Sequence, residues 1–151
     1  MVDVRNQIED YLNLLNMKYY WNEEKGFFEL VFIERKNEQL VSESTEDDSL
    51  SFKYTVFIKP GLKWIQIYSD VYPLDKISPE KKQTVILDLL HCNRKYAEVC
   101  FDLDKSRGII GTSQELMIRG LNFDLFREEF LAVPWTVKKF WTEIAAKHGL
   151  E

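Results

Sequence analysis

Two runs of β-branched and aromatic residues, Ser51 to Lys59 and Leu62 to Val71, are separated only by Pro60-Gly61. Strands joined so closely must lie side by side and antiparallel, and this constrains the architecture more than any other feature. Proline fixes one φ and glycine allows a positive one, so the pair suits a type II turn. The same signature recurs on both sides. Met17, Tyr19 and Trp21 alternate with Lys18, Tyr20 and Asn22, and Glu24-Lys25-Gly26 turns the chain into Phe27 to Arg35. Tyr96 to Leu103 alternates again and turns at Asp104-Lys105-Ser106-Arg107-Gly108 into Ile109 to Met117. Three such hairpins give about six strands.

Helical periods fill the remaining segments. Ile8, Tyr11, Leu12 and Leu15 predict an amphipathic helix from about residue 3 to residue 16. Ser78-Pro79-Glu80 predicts a helix start: the serine hydroxyl can cap free N–H groups, proline needs no partner at the first position, and glutamate suits the positive end of the dipole. That helix is expected to reach about Asn93 and to bury Val85, Ile86, Leu89 and Leu90, with Leu87 beside them. Asn122 can cap a short helix to about Leu131, and Pro134 is expected to start a second one. In it Val137, Phe140, Trp141, Ile144, Ala145 and His148 recur at helical spacing, closed by Gly149 as a left-handed cap. The plan is α+β: helix, four strands, helix, two strands and a broken terminal helix, on one antiparallel sheet. At 151 residues with no linker or repeat, the chain reads as a single domain over 1–151.

Charge and composition narrow the partners. Net charge is −5, with no basic block, so nucleic acid is a poor fit. No apolar stretch approaches the roughly 18 residues of a membrane span, and Asp3, Arg5, Glu9 and Asp10 charge the amino-terminal stretch where a signal peptide is greasy. Cys92 and Cys100 form no disulfide framework and read as free thiols, in keeping with a cytoplasmic location. Lys36 to Leu50 is rich in serine and acid and has no core face, which predicts a solvated, mobile excursion.

Leu89-Leu90-His91-Cys92-Asn93-Arg94-Lys95-Tyr96, then Val99-Cys100-Phe101-Asp102-Leu103-Asp104 and the turn at Gly108, together with the order of elements, resemble the secretion-chaperone-like fold. The resemblance is to its YbjN-like branch, known for sensory transduction regulation, and it covers almost the whole chain. In that branch a helix ending in a leucine pair plus asparagine leads into a strand carrying an aromatic and an acid. The resemblance implies a small dimeric protein that binds other polypeptides, and it brings no catalytic residue.

The residues themselves point to no chemistry. Glu98, Cys100, Asp102 and Asp104 share one row of an expected strand, opposite Ala97, Val99, Phe101 and Leu103, which is the pattern of a half-buried strand with a solvated face. Glu46-Asp47-Asp48 lacks the alternating ligands and glycine of a calcium loop. His91 and Cys92 are adjacent, so on a helix they diverge by about 100° and do not converge with Cys100 and His148 on one ion. His148 suits the negative end of the terminal helix. Gly108 to Gly111 lacks the lysine and glycine spacing of a phosphate cradle. We therefore expect no cofactor, no metal and no enzyme.

Aromatics are the one excess: 10 Phe, 7 Tyr and 4 Trp. Leu62, Trp64, Gln66 and Tyr68 lie on one face of their strand with Ile65 and Ile67 on the other, and Phe28, Leu30 and Phe32 back onto Phe27, Val31 and Ile33. A sheet with helices on one side needs a single apolar face, and this one has two. Either the terminal helix covers the second face or a partner does. The expected function is a non-enzymatic protein-interaction module of chaperone or adaptor type, a homodimer holding a polypeptide, with Trp64, Tyr68, Val85 and Leu89 on the partner or dimer surface. The alternative is a regulatory domain binding a small apolar ligand between sheet and terminal helix. Elemental analysis of the purified protein is expected to find no stoichiometric zinc, and one zinc per chain would overturn this reading.

Overall fold

The computed structural model describes residues 3–35 and 51–151. The stretch Lys36 to Leu50, including Glu46-Asp47-Asp48, lies outside the described residues. In chain order the elements are α1 (Val4–Leu14), β1 (Tyr20–Asn22), β2 (Phe27–Arg35), β3 (Ser51–Pro60), β4 (Trp64–Pro73), α2 (Pro79–Lys95), β5 (Phe101–Asp104), β6 (Ile109–Met117) and α3 (Phe123–Lys139). A π-helical turn (Phe140–Ala145) and a last helical turn, α4 (Ala146–His148), follow. The six strands form one sheet in the order β1-β2-β3-β4-β6-β5, every pair antiparallel.

The central hairpin forms, but its turn sits later than Pro60-Gly61 predicts. Pairing persists to Pro60 opposite Ile65, and the Gly61 N–H donates to the Trp64 carbonyl at 2.8 Å, leaving Leu62-Lys63 as the connection. Gly61 is not among the glycines of positive φ, so the type II geometry is not adopted. The strand that was expected from Leu62 begins at Trp64.

The helix ends show which local signals prevail. Asp3 caps α1 by accepting from the Arg5 N–H at 3.0 Å, and Asn122 caps α3 by accepting from the Leu125 N–H at 2.9 Å. Ser78 takes the extended backbone of a cap residue, yet its hydroxyl makes no cap bond and is buried without a partner. Helix α2 runs on to Lys95 and buries Val85, Leu89 and Cys92, one stripe at helical spacing. Leu90 lies about 100° around the helix from Leu89 and, with Leu87, faces outward at 59% and 56% exposure, contrary to the expected stripe.

Pro134 does not divide the terminal helix. It is buried inside a continuous α3, where Phe130, Val133 and Val137 are within 1% of full burial. Packing of that kind outweighs the cost of about 3 kcal/mol for an internal proline. The regular winding changes later, at the π-helical turn, and Gly149 caps the last helical turn at φ 63° as expected.

Strand β5 is also shorter than the alternation suggests. Tyr96 N–H bonds to the Cys92 carbonyl and Val99 N–H to the Tyr96 carbonyl, so the chain turns through Val99 and meets β6 at Cys100, whose carbonyl accepts from the Ser113 N–H at 3.3 Å. Glu98 therefore lies in the turn ahead of the strand, while Cys100 borders the start of β5 beside Asp102.

All helices lie against one face of the sheet. Under α1 and α3 are Phe28, Leu30, Val56, Ile58, Ile65, Ile67 and Leu116. A second cluster joins Tyr72, Ile110 and Phe101 to Val85 and Leu89 of α2 and to Phe140 and Ile144 of the π-helical turn. A bulge between Asp70 and Tyr72 swings the Tyr72 ring onto this face. Val71 and Trp141 pack against both clusters. The carboxyl segment is thus core: Phe140→Ala is expected to cost about 3–5 kcal/mol in denaturant unfolding. Deletion after Pro134 is expected to lower Tm sharply, and an unchanged Tm would refute the assignment.

Candidate partner-binding face

The other face of the sheet carries no helix among the described residues. Registered pairing puts Glu29, Phe57, Tyr68 and Ser113 in one row across it, with Gln66 and Glu115 in the next and Trp64 and Met117 in the one beyond. Phe57 stacks on Tyr68 with ring centroids 5.1 Å apart, and Phe27 meets Phe57 edge-on at 5.2 Å. Around this half-buried aromatic strip Val31 is 57%, Ile33 71% and Trp64 44% exposed, with Tyr20 and Met117 also open to solvent.

The face becomes polar toward β5. Arg107 forks onto Asp70 at 2.9 and 3.0 Å and reaches Asp104 at 2.5 Å, tying the β5–β6 turn to β4. Asp102 accepts from the Ser113 hydroxyl at 2.7 Å. Its carboxylate lies over Gly111, where a Cβ would come within 2.8 Å of it, so glycine is what lets the carboxylate approach the strand. These groups line a shallow cavity of about 340 Å³ with Gln66 and Tyr68. Hydrogen bonds from Ser106 and Arg107 hold the Asp104 carboxyl well below the usual carboxylate range, and Asp70 with Asp104 raises the Arg107 guanidinium. Asp104 is thereby tied to fixed partners within its own turn.

No family model matches the chain, and no curated protein matches its sequence. Solved structures do. The HopA1–SchA chaperone–effector complex aligns over 93% of this chain and 98% of its own matched chain, at 13% identity and a TM-score of 0.55. The ExsC–ExsE complex aligns over 95% and 97%, at 12% identity and a TM-score of 0.60. YbjN, a proposed transcription regulator from E. coli, aligns over 99% and 96%, at 14% identity and a TM-score of 0.60. The chain has the secretion-chaperone-like fold. At these identities the likeness is one of fold.

Within this secretion-chaperone-like sheet the four residues expected on a partner surface separate. Trp64 is exposed and Tyr68 half-buried, and both lie on the helix-free face. Val85 and Leu89 are 0% and 6% exposed inside the chain's own second core, because α2 turns their stripe onto the sheet. They belong to no surface.

The candidate metal residues do not converge either. His91 and Cys100 are exposed, and buried Cys92 has its Sγ 4.0 Å from Glu143, with burial pushing the thiol pKa up. His148 lies 2.6 Å from Asp88, whose carboxylate also receives Lys147 and is held below its ordinary pKa by Lys147 and His148. Among the described residues no group of three His, Cys, Asp or Glu side chains is placed to hold a metal ion.

Two arrangements escaped the sequence reading. Tyr96, Lys139 and Glu143 form one cluster: burial works against the Glu143 charge, but the Tyr96 hydroxyl at 2.5 Å and Lys139 at 3.1 Å prevail and lower its pKa. Asn93 clamps the start of β5 from the last turn of α2, and the signal was a lone amide between a helix end and a strand. The Arg107 fork is directly testable. Asp104, a carboxylate of lowered pKa, contributes to stability above its unfolded pKa of about 3.9, and the contribution disappears as pH falls through the folded value. NMR titration should find it protonating below that reference, and Arg107→Ala should move it upward.

Proposed function

We propose that the protein is a non-enzymatic module of chaperone or adaptor type that holds an extended segment of another polypeptide on the helix-free face of its sheet. The observation that carries this reading is one-sided packing. Val31, Ile33, Tyr20, Trp64 and Met117 remain open around an aromatic strip, while every helix packs on the opposite side. Apolar side chains left exposed together on an uncovered face, here interleaved with Lys53, Lys59, Gln66 and Glu115, support an interaction site. The β2 edge supports the same reading: β1 pairs with it only over Phe27–Glu29, and an extended segment can add beside the remainder. The likeness to a chaperone–effector complex and to the ExsC–ExsE complex favours a polypeptide occupant.

We extend the reading to a homodimer in the cytoplasm. Exposed apolar residues lie on two separate surfaces, the sheet face and the Leu87–Leu90 flank of α2, so one can hold the partner while the other meets a second copy. Cys92 and Cys100 are free thiols, as in a reducing compartment. A small apolar ligand between sheet and terminal helix is disfavoured, since Phe126, Phe130, Val133, Val137 and Phe140 fill that space at 0–1% exposure.

Affinity capture from the protein's own cytosol is expected to retain a polypeptide in stoichiometric amount. Ile33→Lys or Trp64→Lys should each cut retention about tenfold, the equivalent of 1.4 kcal/mol. Equal retention by these variants would refute the sheet face as the site. Light scattering is expected to give roughly twice the 18.0 kDa chain mass.

A further inference from the structure

The two edges of the sheet are managed differently, and the difference resides in one side chain. At β5 the Phe101 N–H donates to Asn93 Oδ1 at 2.7 Å, and Asn93 Nδ2 donates to the Phe101 carbonyl at 3.1 Å. One amide thus meets both backbone groups of one residue, as the opposing residue of an added antiparallel strand does. Phe101 and Leu103 stand opposite Thr112 and Ile110, and residues two apart direct their backbone groups to the same side. With Phe101 occupied, Leu103 is the other residue of β5 whose N–H and carbonyl point outward, because the strand ends at Asp104.

The far edge is open over a longer stretch. β1 reaches only Glu29, and before Tyr20 the chain has turned away, since the Met17 N–H bonds to the Leu12 carbonyl at the end of α1. Among the described residues no strand pairs with the outer side of β2 from Leu30 to Arg35.

We infer that Asn93 is a plug that closes the β5 edge to strand addition, so that this sheet accepts an added strand at the outer edge of β2 alone. Unpaired edges template association between chains, and proteins block them with short strands and side chains placed on the edge. If both edges were free, β5 of one chain could pair with β2 of the next. That contact is heterologous and does not close, so it grows into open chains. The plug leaves one acceptor edge per sheet, and an added strand then ends the association instead of extending it. This argument concerns the sheet edges and holds whatever occupies the helix-free face.

The test has two parts. In the unmodified protein, hydrogen exchange should find the Phe101 amide protected and the Leu103 amide fast, although they are two residues apart on one edge. In Asn93→Ala, light scattering across the micromolar range should show a mass that climbs with concentration, at least roughly doubling over the unmodified protein as non-closing contacts add. Asn93→Ala/Leu103→Pro should return to the unmodified mass, because proline removes the outward N–H that an added strand needs. The inference is overturned if Asn93→Ala keeps the unmodified mass at every concentration, or if the double variant still grows. Should Asn93→Ala fail to fold, exchange in the unmodified protein decides: a Leu103 amide as protected as that of Phe101 means that something other than Asn93 covers the edge.

Discussion

Among the described residues every helix spends its apolar stripe on the same face of one six-stranded sheet, and most other features follow from that commitment. The stripes of α1 and α3 cover the central strands, while α2 and the π-helical turn cover the β5–β6 end. Antiparallel sheets tolerate such an arrangement when the uncovered face is polar. Here it is charged near β5, where Arg107 gathers Asp70 and Asp104, and mixed elsewhere: Val31, Ile33, Trp64 and the Phe27-Phe57-Tyr68 strip lie among Glu29, Lys53, Lys59 and Gln66. The same layering that completes the core leaves these apolar side chains open to solvent.

Local rules yield to packing in several places. Proline inside α3 forfeits a backbone bond and costs about 3 kcal/mol, yet the burial of Phe130, Val133 and Val137 on either side keeps the helix whole. The change in winding falls instead at Phe140–Ala145, where Phe140 and Ile144 enter the second cluster while Glu143 meets Tyr96. π-Helical turns often mark places where packing or function sets the register. Ser78 gives a similar lesson, since a residue of ideal type at a helix start leaves its hydroxyl without the cap bond.

Periodicity made the hairpins, the sheet and the helices legible, because alternation and the 3.6-residue stripe are direct consequences of burial on one side. It also disclosed the second apolar face, although not which elements would cover it; that depends on where α3 crosses the sheet. The inward stripe of Val85 and Leu89 was legible, but that it packs on the chain's own sheet, the outward turn of Leu90 and the late start of β5 depended on helix rotation and on turns at Tyr96 and Val99, neither of which a local pattern encodes. Of the candidate surface, Trp64 and Tyr68 were readable because neighbouring strands fix their side, whereas residues on a helix had no such reference. The Asn93 clamp and the Arg107 fork join partners brought together only by the fold.

Val71 and Trp141 pack against both hydrophobic clusters, and this bears on how the molecule comes apart. Two clusters under different helices could melt separately, as foldons of unequal stability. A strand residue at the bulge and an aromatic in the π-helical turn bolt them together, so loosening the carboxyl end strips contacts from both at once. The chain is then expected to unfold in one cooperative transition in place of two, its helix-free face persisting until the sheet itself comes apart.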